Sequence, residues 1–472
     1  MLDLYGNFIA DVSNVLYSYI LIVLLVGGGI YFTLRTKGVQ LKYLAESFRI
    51  IKEPAEDQDS QSLSSFQALM VSTASRVGTG NIAGVSTAIC LGGPGAVFWM
   101  WVTALFGTAT AFLEGTLAQI YKRRAEDGTC YGGPAYYIEG AFKKRWLGVI
   151  YTVFMVLTYM VGFNLVAAFN VADTFKAYSF YNPSVTPIIV GGILAAVFGI
   201  CICGGGKKIS QIASVLVPFM GAFYIAAALL MIVLNIKLLP GVIANIFKSA
   251  FDFQAIFGGF TGSVVMLGIK RGLFSNEAGV GAAATAAGSA SVSHPVKSGL
   301  VQVLSVFIDT IVVCTATAFL LLCSGVEPTA EAAGMSFVQA AVGNVFGQFG
   351  VVFITIALIL FAFTTVIGNY FYAETGMVYI LDKLPSKAVR YTQRAIAIVV
   401  VFVGSFLSLG VAWDTADVLM GLMAIINVPV LAILAKPALL ALSDYIRQKK
   451  EGKNPVFKAA DISLKDKTDF WN

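Results

Sequence analysis

The stretch Ser72-Thr73-Ala74-Ser75-Arg76-Val77-Gly78-Thr79-Gly80-Asn81-Ile82-Ala83-Gly84 lies inside an apolar run from Phe66 to Leu91. Twenty helical residues cross about 30 Å of hydrocarbon, so the run is long enough to span a bilayer. Its middle is wrong for a plain span. Gly78 and Gly80 weaken the helix, and Asn81 adds an amide side chain. Arg76 adds a charge that must snorkel, pair, or line a wet cavity. An unwound turn here frees carbonyls that end one half-helix and amides that begin the next. Carbonyls of Ala74 and Val77 suit a desolvated cation, and amides of Thr79 and Gly80 suit a carboxylate. The plainer reading is a packing seam, because Gly80 and Gly84 form a small-xxx-small pattern. The run Gly78-Thr79-Gly80-Asn81 beside an arginine favours a binding site. No Gly-Lys-Ser/Thr follows, so it is not a phosphate loop.

The chain around this stretch has the composition of a membrane protein. It has 472 residues, 57 % hydrophobic and 12 % charged, with a mean hydropathy of +0.80. A soluble protein keeps about a quarter of its residues charged. The 47 Gly against 13 Pro suit close-packed membrane helices. Six Cys and the single His294 form no ligand cluster, which argues against a disulfide framework, a zinc site or a membrane enzyme. No cofactor is expected. The net charge of +6 falls in short loops and not on a base-reading face, so nucleic acid is not an expected partner.

Eleven apolar runs stand at about 15–34, 66–90, 95–120, 148–175, 186–203, 210–236, 256–290, 298–323, 348–380, 392–411 and 415–441. This reads as an all-α polytopic membrane protein, since only helices satisfy the buried backbone here. Bases crowd 35–65, 121–147, 204–209, 381–391 and the tail from Arg447, while the alternate loops hold few. The positive side is cytoplasmic, which puts the N terminus outside and the C terminus inside the cell membrane. Residues 1–62 are then an extra helix and an interfacial segment with an acidic turn from Glu53 to Asp59. Residues 63–441 are a core of two five-span sets, 63–236 and 237–441, and 442–472 are a tail ordered in part. Segment 237–255 reads as an outer surface helix. Five is odd, so the second set runs inverted, and each set opens with a Gly-rich interrupted span.

The second interrupted span is Gly268-Ile269-Lys270-Arg271-Gly272-Leu273-Phe274-Ser275-Asn276-Glu277-Ala278-Gly279-Val280-Gly281. Three charges rule out a plain lipid-facing helix. Topology puts Lys270 and Arg271 towards the inside, which leaves Gly258–Ser263 as the ligand-facing part; the break itself has no fixed position. Glu277 is the first candidate to pair with Arg76, in a gating or structural ion pair, and Glu114 is the second. Thr364 and Thr365 offer two hydroxyls that would complete an all-oxygen sodium site, unless they back-bond to their own helix. Asn170 is a candidate pocket wall, and Asp173 belongs near the outer interface. Asn164 adds polarity to the same span, and Asn369 and Glu374 suit an inner cavity or a structural network.

The motifs Arg76–Gly84, Arg271–Gly279 and Tyr131-Gly132-Gly133-Pro134, with Thr33-Leu34-Arg35, resemble the alanine or glycine:cation symporter family. The likeness covers almost the whole chain. It implies a carrier for alanine or glycine coupled to sodium, and a core of the sodium:neurotransmitter-type fold with one extra N-terminal helix. Carried over, the sodium site takes carbonyls of Ala74 and Val77 with the hydroxyls of Thr364 and Thr365. The substrate site takes Gly78, Thr79, Gly80, Asn81 and Asn170. Arg76 departs from the small residue usual at its position, so a second sodium site is left open. Phe274, Phe361 and Phe363 are candidates to limit substrate size. The expected partners are the amino acid, sodium and lipid, with no obligatory protein partner. The rival readings are a proton-coupled carrier of another small solute and a channel. A channel wants a continuous polar stripe, which localised breaks do not provide.

Overall fold

The computed structural model describes residues 2–55, 63–124, 128–203, 205–252, 263–464 and 468–471. Among these the chain is helical apart from a two-strand ribbon, in which Arg123 pairs with Tyr131 and Arg124 with Cys130. Seven helices are long and apolar enough to cross a membrane: Asp3–Arg35, Ala96–Ile120, Arg145–Ala177, Ile209–Leu234, Pro295–Leu322, Met335–Leu381 and Leu409–Lys450. Two shorter apolar helices, Gly80–Gly92 and Thr186–Ile202, accompany them. The helix Lys387–Gly404 opens with Lys387, Arg390 and Arg394, which lowers its apolar length. The protein is thus an all-α polytopic membrane protein.

Several boundaries differ from the hydropathy reading. The first helix starts at Leu2, not near Val15. The ninth run begins at Met335 and passes a non-helical Gly347 (φ 60°, ψ −151°) before continuing to Leu381. The last helix runs unbroken from Leu409 to Lys450 through Pro429 and Pro437. Segment 237–255 contains the helix Leu239–Ala250. Residues 39–50 form two short helices, Val39–Lys42 and Leu44–Ile50.

Burial separates two kinds of helix. Every residue from 68 to 89 and from 266 to 306 is buried. Glycine lets these helices touch: a Cβ on Gly299 would lie 2.7 Å from the Phe112 carbonyl oxygen, and one on Gly115 would lie 3.1 Å from the Gly299 Cα. The peripheral helices instead expose large apolar side chains, such as Val215 at 74 % and Ile200 at 71 %. Those faces suit lipid.

A capping box starts the first interrupted span: Gln67 N donates to Ser64 Oγ at 3.1 Å, and Ser64 N donates to Gln67 Oε1 at 3.0 Å. The tail is packed more fully than its polarity suggests. Phe457 N donates to the Ser293 carbonyl at 2.9 Å. Trp471 Nε1 donates to the Gln119 carbonyl at 2.7 Å. Lys122 Nζ sits 3.8 Å from the centre of the Phe470 ring. Burial lowers the Lys122 ammonium to about 8. These two hydrogen bonds and the cation–ring contact hold the tail against the core despite its polar composition.

Candidate substrate and cation site

The first interrupted span breaks where its glycines begin. The helix Ser65–Arg76 ends at Val77, whose ψ of 89° leaves the helical region. A second half-helix then runs on to Gly92. Asn81 builds the turn: its Oδ1 accepts from Gly78 N at 2.8 Å. Outside the helices' own ladders, no hydrogen bond among the described residues takes up the carbonyls of Ala74 and Val77 or the amides of Thr79 and Gly80. All four groups are buried. Such groups are costly unless a ligand or water meets them.

The helix Met335–Leu381 crosses directly over this break. A Cβ added to Gly78 would collide with Thr365 Oγ1, and one on Gly368 would lie 2.8 Å from Ser75 N. Thr365 is buried, and its hydroxyl has no hydrogen-bond partner among the described residues. Thr364 behaves differently. Its Oγ1 donates to the Phe361 carbonyl at 2.9 Å and lies 3.7 Å from Met220 Sδ. Helix phase separates the pair: one hydroxyl is aimed at the break and the other turns back on its own helix. Below Thr365, Ser75 Oγ donates to Asn369 Oδ1 at 2.8 Å, and Asn369 Nδ2 donates to Asn164 Oδ1 at 2.9 Å.

Aromatic rings close the other side. A Cβ on Gly80 would lie 2.7 Å from Phe274 Cδ1. The Phe274 ring stands 4.6 Å from Phe163 and 4.6 Å from Trp413. Phe361 packs on Tyr224 instead, at 5.3 Å, and Phe363 lines a separate apolar groove with Phe175 and Ile193. Asn170 donates to the Val166 carbonyl at 2.9 Å. Its Oδ1 is buried without a partner among the described residues. It lies about 10 Å along the axis from Phe163, at 1.5 Å per residue.

Arg76 meets the acid of the other interrupted span. Its Nε is 3.9 Å from Glu277 Oε2, with both side chains at 0 % exposure. Its NH1 donates to Gln302 Oε1 at 3.2 Å. Glu114 accepts instead from Asn427 Nδ2 at 2.7 Å.

Among the described residues the second interrupted span breaks after Lys270 and Arg271. The helix Val264–Asn276 carries both bases, and the turn falls on Glu277–Gly281, before the half-helix Ala282–Gly288. Glu277, Gly279 and Gly281 take positive φ of 53°, 96° and 94°. Lys270 Nζ lies 2.8 Å from Ser13 Oγ in the first helix and 3.0 Å from both Asp414 and Asp417. Arg271 also binds Asp417. So the bases belong to the end of the molecule where the first and last helices begin. Of the segment Gly258–Ser263, residues 258–262 lie outside the described residues.

Side chains occupy the carbonyls of this second turn. Asn427 Nδ2 donates to the Gly279 carbonyl at 3.0 Å, and Tyr151 OH donates to the Val280 carbonyl at 2.8 Å. Tyr137 in turn donates to Asn427 Oδ1.

Two buried acids escaped the sequence reading. Asp309 is fully buried; Asn81 Nδ2 donates to its Oδ1 at 2.7 Å, and Ser275 and Thr310 donate to its Oδ2. This commits the Asn81 amide to Asp309 on one side and to Gly78 on the other. Asp417 balances Lys270 and Arg271. Each is a lone acid inside an apolar run, and an intramembrane carboxylate is itself a signal.

A buried, interrupted helix with unbonded peptide groups, inside an all-helical membrane protein, defines a secondary transporter. Residues 2–459 match the sequence family described as the sodium:alanine symporter family. The probable sodium/glutamine symporter GlnT of Bacillus subtilis (strain 168) is 43 % identical over 457 residues, 97 % of this chain and 94 % of that protein. The amino-acid carrier protein AlsT of the same organism is 41 % identical over 472 residues, 100 % of this chain and 98 % of that protein. The sodium/alanine symporter AgcS of Methanococcus maripaludis is 38 % identical over 438 residues, 91 % of this chain and 94 % of that protein. The crystal structure of MhsT in complex with L-phenylalanine superposes with a TM-score of 0.61 at 16 % identity, covering 87 % of this chain and 96 % of that one. The fold is therefore that of MhsT, and the chain belongs to the sodium:alanine symporter family.

Proposed function

We propose that the protein carries a small neutral amino acid, alanine or glycine, into the cell together with sodium by alternating access. The observation that carries this reading is the Thr365 hydroxyl. It is buried, has no partner among the described residues, and packs on Gly78, where the first helix is interrupted. Sodium is held by Thr365 Oγ1 and the carbonyls of Ala74 and Val77. Thr364 joins them only if it gives up its bond to Phe361. The substrate carboxylate rests on the amides of Thr79 and Gly80. Gly78 and Asn81 shape that turn, and Asn170 borders the outer approach.

The sodium coupling is supported by the names of relatives, GlnT and AgcS among them. The small substrate is supported by the Phe163–Phe274–Trp413 cluster against Gly80, which leaves little room for a long side chain. The architecture belongs to the same proposal: eleven spans, with inverted repeats at 63–236 and 237–441, the N terminus outside and the C terminus in the cytoplasm. Its support is that an interruption opens each set and that bases crowd alternate loops. Arg76 and Glu277 join the two interruptions and act as a gating pair. Coupling follows if both solutes prefer the closed state.

The test is radiolabelled alanine uptake into proteoliposomes. Uptake should rise with an inward sodium gradient and stay low with potassium. Uptake driven equally by a proton gradient without sodium would overturn the coupling, and glutamine competing as well as alanine would overturn the size argument.

A further inference from the structure

Beneath the second break two separate voids lie towards the end of the molecule that carries the tail. Tyr151, which holds the Val280 carbonyl, lines a void of about 10 Å³ with Gly133, Thr285, Thr375 and Tyr379. That volume admits about one water molecule and no amino acid. Tyr136 and Tyr379 border both this void and a cavity of about 220 Å³ that contains Arg123 and Asp382. Two tyrosines therefore stand between the break and a polar mouth.

The closure around them is made of charge. The Tyr136 and Tyr379 rings meet edge to face at 4.9 Å. Tyr379 OH donates to Glu139 Oε2 at 2.8 Å. Arg123 NH2 is 3.3 Å from Glu139 Oε1, and Arg145 NH1 is 3.8 Å from Glu139 Oε2 and 3.0 Å from Asp382. Glu139 thus joins three groups from three elements: the ribbon, the helix Arg145–Leu157 and the end of the helix Met335–Leu381. Glycine seats this lid on the inner half-helix. A Cβ on Gly132 would lie 2.8 Å from the Gly288 Cα, and one on Gly133 would lie 2.8 Å from Thr285 Oγ1. This is what the Tyr131-Gly132-Gly133-Pro134 motif does. The tail meets the assembly at Asp469, 3.0 Å from Arg123 Nε, in a pair whose acid is 65 % exposed.

We infer that Glu139, with Tyr136, Tyr379, Arg123 and Arg145, is the inner gate of the substrate path, and that substrate leaves past Thr375 when Glu139 releases Tyr379. The inference rests on the carrier reading above. Glu139 is the centre and Asp382 is not, because the Asp382 side chain is 73 % exposed and a solvated pair contributes little. These residues position the closure; none of them touches substrate in the bound state.

Accessibility decides the matter. Thr375→Cys is placed in a background with the native cysteines replaced, and a membrane-impermeant thiol reagent is applied from the tail side. The parent should react slowly, and faster or slower by several-fold when sodium and alanine are both added. Glu139→Gln should raise the rate about tenfold, as expected for losing a charge-assisted hydrogen bond, and should abolish the response to ligands. Tyr379→Phe keeps the ring and should move the rate in the same direction by less, which covers a failure of Glu139→Gln to fold. Unchanged rates in both variants, with sodium-driven uptake of the parent intact, overturn the gate and leave the carrier reading standing. A parent without sodium-driven uptake overturns the carrier reading; the labelling rates then still decide whether Glu139 closes the mouth.

Discussion

The two interrupted helices solve the same local problem in opposite ways. At Val77–Gly80 the Val77 carbonyl and the Thr79 and Gly80 amides are taken up by no turn, loop or cap hydrogen bond among the described residues, and a hydroxyl from another helix points at them without a partner of its own. At Glu277–Gly281 the carbonyls are taken by Asn427 and Tyr151, and Asn427 is itself held by Glu114 and Tyr137. Their glycines differ as well. Gly78 and Gly80 have no positive φ and are needed for space, because Thr365 and Phe274 occupy the volume of a Cβ. Gly279 and Gly281 have φ of 96° and 94° and are needed for conformation, Gly281 for space as well, since a Cβ there would lie 2.5 Å from Pro134 Cγ. An interruption alone does not mark a ligand site. The one that leaves its peptide groups unsatisfied does, and the other is a braced joint.

The largest expected effect is therefore at Gly78. Gly78→Ala puts a methyl onto Thr365 Oγ1 and should lower sodium-driven uptake by about a hundredfold, the scale of a lost site at roughly 1.4 kcal/mol per tenfold. Adding Thr365→Ala removes the collision and should restore folding, read as a monodisperse protein in detergent, without restoring uptake. Restored uptake would make the glycine a packing residue only. The threonine pair sharpens the same point. Thr365→Val should raise the half-saturating sodium concentration about tenfold. Thr364→Val should change it by about twofold at most, because its hydroxyl is bonded to Phe361. Equal effects at both positions would mean that Thr364 turns towards the ion.

At the braced joint the expected losses are in stability. Asn427→Ala strips the Gly279 carbonyl, Glu114 and Tyr137 of a partner at once. Leaving buried polar groups unpaired costs about 1–3 kcal/mol each, so thermal unfolding in detergent should move down by several degrees. The half-saturating sodium concentration should not move.

Hydropathy was enough to show an all-helical membrane protein, because apolar runs of twenty residues have few other fates. The first break was equally legible, since Gly78, Gly80 and Asn81 interrupt an otherwise apolar segment. The position of the second stayed open for a physical reason. Lys270 and Arg271 look like a loop until Asp414 and Asp417, more than a hundred residues later, neutralise them within the protein. Long-range pairing of this kind leaves no local mark. Asp309 did carry a local mark, a carboxylate inside an apolar run, but its partners Asn81 and Ser275 come from both interrupted spans. Thr364 and Thr365 are adjacent in sequence, and only the phase of their helix against the break separates them.

The smallest expected effect tests the joint most strictly. Tyr151→Phe removes one hydroxyl and nothing else from the ring that packs beside Gly281, and its hydroxyl serves the Val280 carbonyl alone. Losing that bond should cost about 1 kcal/mol of stability. Sodium affinity should be unaltered, because the nearest ligand groups belong to the other helix. If Tyr151→Phe instead weakens sodium binding tenfold at unchanged thermal stability, the Val280 carbonyl is a ligand in waiting and the two breaks work as one site.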